Sequence, residues 1–362
     1  MRIETTVETP VKRSFRVEQV AGMFGLDVEA KARETFAVEL PERDGDWQIG
    51  AIVGPSGSGK TTIAREAFGR AVHRPHRWPR DEAVVEGFGD LPVKQITLCL
   101  SAVGFASPPS WLKPFRVLSN GEQFRCELAR AILTGGDLVV FDEFTSVVDR
   151  TVAQVGSAAV AKAIRAGRLG RRFVAVSCHY DILDWLEPDW ALDMATGRLE
   201  RGRLRRRPPI ALGIFRCDRK AWTMFAKHHY LTGSLAPAAQ CFVAEWAGRL
   251  VAFCGVLPLL GKRGRRRISR LVTLPDFQGV GIGGALLDAV AEHYDAQGIR
   301  MNITTAHPAM IHRLAASERW TLCHVAKRGH SKAAMAVVGK YYTRPRSRSV
   351  TSFEFRGQAR GR

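Results

Sequence analysis

Apolar positions follow two regimes along the chain. In the first half they form short unbroken runs at Trp47–Val53, Leu138–Phe141 and Phe173–Val176. Continuous apolar character over a few residues predicts strands buried on both faces, as in a parallel sheet covered by helices. Thr61–Gly69 predicts a helix directly behind the first run. In the second half, Cys241–Ala244 and Leu250–Val256 predict neighbouring strands across a turn at Trp246-Ala247-Gly248, and Ile268–Leu274 predicts a third. Gly283–Tyr294 predicts an amphipathic helix with Leu286, Leu287, Val290 and Ala291 on one face. Arg300–Thr304 then predicts a strand, followed by a helix through Ile311 and Leu314. The expected fold is therefore α/β in the first half and α+β in the second.

A chain of 362 residues is long for one core, so two domains are expected. The segment Leu199–Pro209 carries five arginines and two prolines, which neither a strand nor a helix core tolerates. It sets a first domain at 1–203, a linker at 204–209, a second domain at 210–343 and a basic tail at 344–362. Within that tail, Val350–Phe355 predicts one added edge strand.

Charge divides at the same place. Up to Gly197 there are 24 Lys and Arg against 26 Asp and Glu, whereas from Arg198 onward there are 30 against 9. A basic host composition would have raised both halves, so the second domain is expected to meet a polyanion. Nucleic acid is the simplest such partner, with an acidic protein or a membrane surface as the other chemistries. No stretch approaches the roughly 20 apolar residues of a membrane helix, and the N-terminus has no apolar signal core. The seven cysteines are scattered without CxxC spacing, which fits a reducing cytoplasm rather than a disulfide framework or zinc site.

The first run ends in Gly54-Pro55-Ser56-Gly57-Ser58-Gly59-Lys60-Thr61-Thr62, a GxxxxGK[ST] loop between a strand and a helix. Its glycines let successive backbone amides converge on phosphate oxygens, and the helix N-terminus adds positive potential. Lys60 is expected on the β- and γ-phosphates of ATP and Thr61 on Mg2+. In Leu138-Val139-Val140-Phe141-Asp142-Glu143 the apolar run ends in two carboxylates. A strand ending in solvated acids is ordinary by itself; behind such a loop, Asp142 is expected to hold Mg2+ and Glu143 to polarise the attacking water.

Between them lies Leu118-Ser119-Asn120-Gly121-Glu122-Gln123, followed by FRCELARAIL. Here the chain resembles the ABC-type ATPases, whose LSGGQ signature leads into such a helix. The resemblance covers roughly residues 20–200. It implies a signature at Ser119, Gly121 and Glu122, a D-loop at Ser146–Asp149, a switch histidine at His179 and an adenine-stacking aromatic at Phe24. The glutamine of the Q-loop, a further Mg2+ contact, has Gln95 as its nearest representative. It also implies a homodimer in which the signature of one protomer closes over the ATP of the other.

The segment Arg270–Gly284 joins a strand to an amphipathic helix through Gln278-Gly279-Val280-Gly281-Ile282-Gly283-Gly284. The pattern Gln-x-x-Gly-x-Gly resembles motif A of the GNAT acyltransferases. The resemblance implies an acetyl-CoA or other acyl-CoA site, with the Gln278–Gly284 amides on the diphosphate and Val272–Leu274 along the pantetheine arm. A dinucleotide loop is the rival reading, but strands in hairpin order rather than a βαβ unit precede it. The position of the family's tyrosine acid holds a small residue near Ala315, and Ile268–Leu274 carries no glutamate base. Candidates for proton transfer are His228, His229 and Tyr230, with His307 and His312 as further histidines. These histidines also fit ordinary helix-end packing. The basic insert Gly261–Arg267 is expected at a hairpin tip beside the acyl-CoA strand.

Taken whole, the chain resembles ABC ATPase–acetyltransferase fusions of prokaryotes and phages, its GNAT half being similar to the Mom-like branch that modifies adenine in DNA. The expected function is an ATPase coupled to acylation of a nucleic-acid base. A protein N-acetyltransferase with a regulatory ATPase, or a non-catalytic DNA-binding ATPase, stays open.

Overall fold

A computed structural model of the chain describes residues 1–26, 31–203, 205–229, 233–328 and 348–357. The first half runs β1 (Arg2–Pro10), α1 (Phe15–Phe24), β2 (Lys31–Glu39), β3 (Ile49–Val53), α2 (Lys60–Phe68), α3 (Val93–Ala102), α4 (Pro108–Trp111), α5 (Asn120–Thr134), β4 (Leu138–Phe141), α6 (Arg150–Arg165), β5 (Arg172–Ser177), α7 (Leu183–Leu186), β6 (Trp190–Asp193) and β7 (Arg198–Arg201). The order across its main sheet is β4-β5-β3-β6-β7. The first four strands are parallel and β7 returns antiparallel on β6. Every residue of β3 and β4 is buried, as their unbroken apolar runs require. The three strands read from the sequence occur as β3, β4 and β5, and the predicted helix occurs as α2. β1 and β2 form a separate antiparallel pair that the apolar pattern did not announce.

The second half runs β8 (Gly213–Cys217), α8 (Trp222–Phe225), β9 (Gln240–Trp246), β10 (Arg249–Pro258), β11 (Arg265–Thr273), α9 (Ile282–Asp295), β12 (Arg300–Thr305), α10 (Pro308–Ala315), β13 (Trp320–Arg328) and β14 (Arg348–Phe355). Its sheet order is β13-β14-β12-β11-β10-β9-β8, antiparallel except where β11 meets β12. That parallel pair holds only from Arg265–Ile268 against Arg300–Ile303. Beyond Ile268, β11 continues to Thr273 on β10 alone, and the two strands part. The parting opens a cleft in the middle of the sheet.

One expectation changes. The strand in the 344–362 tail is not at an edge: β14 lies between β12 and β13, with Phe353 opposite both Ile303 and Leu322. Val350, Phe353 and Phe355 are buried, so this segment completes the second core instead of trailing from it. The basic insert is at a hairpin tip beside β11, as expected, but at the end of that strand far from the cleft. Lys262 and Arg263 lie in the β10–β11 turn, at the opposite end of β11 from Thr273. Eight steps of strand put about 26 Å between them. Arg265 is paired with Glu354, and the Arg266 guanidinium lies over the Tyr294 ring.

The two halves share a core. Val155 and Ala158 of α6 and Trp185 beside them pack with Phe277, Val280 and Ile282 of the second half.

Candidate functional site

The phosphate loop is built by its glycines. Gly54, Gly57 and Gly59 have φ of 156°, 82° and 80°, a region closed to most side chains. The Phe36 ring stands where a Cβ on Gly59 would lie, 2.5 Å away. Phe24, by contrast, is 70% exposed at the end of α1. Pro55 and Ser56 are at the surface, Ser58 has a buried hydroxyl without a partner, and Thr62 continues α2 behind Thr61. Lys60 is buried, and its ammonium donates to the Pro55 carbonyl at 2.7 Å. The Thr61 hydroxyl donates to Asp142 Oδ1 at 3.1 Å. Residues 81 apart in sequence thus bring two hard oxygen ligands together, which is the donor set Mg2+ takes. Gln95 is exposed on the first turn of α3, and its side chain makes no hydrogen bond among the described residues.

Glu143 follows at a positive φ of 54°, with its Oε2 accepting from Ser146 Oγ at 2.5 Å. His179 is close enough to feel the charges of Arg150, Asp181 and Glu143. Burial and the nearby Arg150 hold its imidazole below the usual histidine range. Its Nδ1 is buried without a hydrogen-bond partner among the described residues. Arg150 is tied to Asp181 in an ion pair beside it.

Ser119 and Asp149 begin the two long helices of this half. Ser119 caps α5, and Glu122 closes a capping box with it: Glu122 N donates to Ser119 Oγ at 3.3 Å and Ser119 N to Glu122 Oε2 at 3.1 Å. Glu122 Oε1 accepts from Ser110 at 2.9 Å, so this carboxylate is occupied with holding the helix start. Gly121 lies against Val152 of α6. Asp149 caps α6 by accepting from Val152 N at 3.1 Å.

The cleft between β11 and β12 has a volume of about 330 Å3. Val272, Gln278, Gly279, Gly281, Ile282, Gly283 and Gly284 line it, together with His228, His229 and His307. Gly279 and Gly281 have φ of 93° and 103°, and Gly281 caps the 14-residue α9, so amides and helix dipole converge there. Leu274 and Val280 do not line the cleft, contrary to expectation. β11 ends at Thr273, Leu274 N turns to the Val251 carbonyl, and Val280 is buried in the core. Tyr230 lies outside the described residues, and His312 is exposed on α10 away from the lining. Burial lowers the pKa of both His228 and His307.

Sequence reasoning missed the seam between the halves. The Gln278 side chain spans it: Ala106 N donates to its Oε1 at 2.7 Å, while its Nε2 donates to the Thr273 carbonyl at 2.9 Å. His307 Nε2 lies 3.2 Å from the Ala106 carbonyl. Arg125 of α5 is fully buried and donates to the carbonyls of Gly121 at 3.4 Å and Asp276 at 3.3 Å. Burial pulls its guanidinium pKa down, against the raising effect of Asp276, Glu122 and Asp149. Lys162 of α6, Arg168 and Arg313 complete the wall of the cleft. The only sequence signal for them was helical spacing, which does not say which neighbour a face meets.

Comparisons with known proteins find a family match and several relatives. Residues 209–315 match the model of the acetyltransferase (GNAT) family. The chain is similar to the ribosome protection protein VmlR of Bacillus subtilis (strain 168), 27% identical over 167 residues that cover 41% of this chain and 29% of VmlR. It is also similar to the zinc import ATP-binding protein ZnuC of Jannaschia sp. (strain CCS1), 35% identical over 132 residues that cover 31% of this chain and 53% of ZnuC. A solved dimeric ATP-binding cassette bound to ADP and phosphate aligns with 56% of this chain and 98% of its own length, at 16% identity and a TM-score of 0.38. The chain thus spans 29% and 53% of the length of these two curated relatives. No helix among the described residues is long and apolar enough to cross a membrane. With the ATP-loop motifs in β3–α2 and β4 and the family match beyond residue 208, the chain joins an ABC-type ATPase domain to a GNAT-family acetyltransferase domain.

Proposed function

We propose that this protein is an ATP-dependent acyltransferase, which hydrolyses ATP as a homodimer and moves an acyl group from acyl-CoA to an amine on a nucleic-acid base. The seam carries the reading. The loop that would hold the donor's diphosphate rests on Gly104–Ala106 and on α6, while Arg125 ties it to the helix capped by Ser119. Both elements that face a second protomer in an ABC dimer therefore touch the acyl-donor loop of the same chain.

On the ATPase side, Lys60 exchanges the Pro55 carbonyl for phosphate oxygens when nucleotide enters. Thr61 and Asp142 would hold Mg2+, which would supply positive charge beside the phosphate oxygens. Glu143, held by Ser146, orients the attacking water, and His179 stands beside it. Ser119 and Gly121 of a second protomer close the site. Asp149 sits at that interface as the helix cap.

On the acyltransferase side, the amine attacks the thioester carbonyl carbon. His228 takes the amine proton; its burial favours the neutral, basic form near pH 7. The C–S bond then breaks, and the CoA thiolate leaves and takes up a proton. Amides at Gly279–Gly284 hold the donor's diphosphate. The excess of positive charge beyond Arg198 supports a nucleic-acid acceptor.

Incubation with ATP, acetyl-CoA and DNA or RNA, followed by digestion to nucleosides and mass spectrometry, tests the acceptor. An acetylated nucleoside is expected. Acetyl groups on lysines of the protein fraction alone would favour the protein N-acetyltransferase reading. Failure of acetyl-CoA to bind in calorimetry would leave a non-catalytic DNA-binding ATPase.

A further inference from the structure

Several cations at the seam, Lys162, Arg168 and Arg207 among them, have no acidic partner among the described residues. Lys162 leaves α6 toward the cleft, and its ammonium lies 3.2 Å from where a Cβ on Gly281 would stand. Among the described residues it makes no hydrogen bond or ion pair. Arg168, in the turn after α6, lines the same cleft. Lys162 also lines a second, neighbouring cavity of about 820 Å3 with Arg203, Arg205, Arg206 and Arg207. There Arg203 and Arg205 are neutralised by Glu187, Asp184 and Glu200. Arg207 has no ion pair among the described residues, and neither has Arg168. Lys162 and Arg168 are exposed at the mouth of the cleft, and partial desolvation there, followed by the like charges of Arg168, Arg207 and Arg313, lowers the Lys162 pKa. Arg313 differs from the others in being paired with Asp288. Like charges gathered at one cleft mouth repel one another, less so where water screens them, and together they attract an anion.

The geometry assigns this group a ligand: we infer that the acyl-CoA site is composite, with Lys162 of the ATPase domain on the donor's diphosphate and Arg168 and Arg207 on its adenosine 3′-phosphate. The inference rests on the acyl-CoA reading of the cleft. The α9 N-terminus and the glycine amides approach the diphosphate from one side, and they carry only partial charges. Lys162 supplies the full positive charge from the other side, out of a different domain. The two phosphate groups of the donor then run from Gly281 toward the arginines at the domain junction. A further consequence is physical. Lys162 sits on the helix whose cap is Asp149, so α6 joins the ATP-dimer interface at one end to the acyl donor at the other.

Three ligands separate the contributions: acetyl-CoA, acetyl-dephospho-CoA without the 3′-phosphate, and S-acetyl-pantetheine without any diphosphate. Calorimetry on the full chain should show Lys162→Met weakening both nucleotide-bearing donors by about tenfold or more, the value of one charged hydrogen bond. S-acetyl-pantetheine should bind the variant and the parent alike. Lys162→Arg should restore most of the affinity, which separates charge from folding. The double variant Arg168→Met, Arg207→Met should weaken acetyl-CoA but leave acetyl-dephospho-CoA unchanged. Unchanged acetyl-CoA affinity in Lys162→Met, with a parent protein that binds, would overturn the composite site and leave the cleft reading intact. A parent protein that binds neither acetyl-CoA nor S-acetyl-pantetheine would overturn the cleft reading, and this inference with it.

Discussion

At the scale of single residues, the two halves differ in how their chemistry is set. Glu143 is held out of the core at a positive φ and fixed by Ser146, while the loop that grips ATP lies on β3 and α2. Glu143→Gln should therefore leave ATP binding intact and slow hydrolysis by roughly a hundredfold or more, since positioned acid–base groups contribute on that order. Light scattering should find the variant accumulating as a dimer with ATP; a variant that stays monomeric would overturn the shared-site reading of Lys60. His307 makes a different prediction. Burial lowers its pKa in the fold, so below the unfolded value of about 6.5 the unfolded chain takes up a proton that the folded chain resists. Its contribution to stability is complete above that pH and is lost as pH falls, with His228 acting in the same direction. His307→Gln keeps a donor for the Ala106 carbonyl but cannot titrate. The thermal midpoint should drop less between pH 7 and pH 5.5 in this variant than in the parent, and an identical drop in both would remove His307 from the account.

At the scale of elements, the seam decides what each glycine costs. A Cβ on Gly279 would lie 2.7 Å from the Ala159 Cβ and 2.8 Å from Gly104 Cα, at a φ of 93°. Gly298 has a φ of 71° with open space around it. Gly298→Ala thus carries backbone strain alone, whereas Gly279→Ala must also push the acyl-donor loop off α6. Chemical denaturation should show the second variant about 1–3 kcal/mol worse than the first. Equal losses would mean that the loop gives way freely. The strands β3, β4 and β5 were readable because burial on both faces leaves an unbroken apolar run. The turns at Gly54–Thr61 and Gln278–Gly284 were readable because glycines in a fixed order mark backbone at positive φ. β14 was placed at an edge because alternation tells which face is buried but not which strands lie on either side. Lys162 and Arg125 were invisible as site residues, since helical spacing shows a packed face without naming what packs on it. The basic turn at Lys262 was readable as a hairpin tip, but its distance from the cleft was not, since one strand carries different features at its two ends.

At the scale of the whole molecule, the charge division makes a claim that no single contact makes. The half up to Gly197 is nearly neutral and the half beyond it strongly basic, so a polyanion should be drawn to one side of each protomer. Part of that charge is already committed: Arg265 and Arg300 to Glu354, Arg319 to Glu292, and Arg313 to Asp288. What is left includes the exposed turn at Lys262 and Arg263. If six or more phosphates are neutralised, affinity for a duplex should fall roughly a thousandfold between 50 and 200 mM salt. Fluorescence anisotropy with a labelled duplex measures this directly. Dimerisation would place two basic halves on one assembly, so the salt slope should steepen when Glu143→Gln is loaded with ATP and stay constant without it. A target base inside a duplex must also leave the stack to reach the cleft, since the thioester would lie between β11 and β12. Single-stranded substrate avoids that cost, and should be acylated faster than duplex at matched occupancy. A slope near zero in both nucleotide states would instead direct the search for the acceptor to proteins.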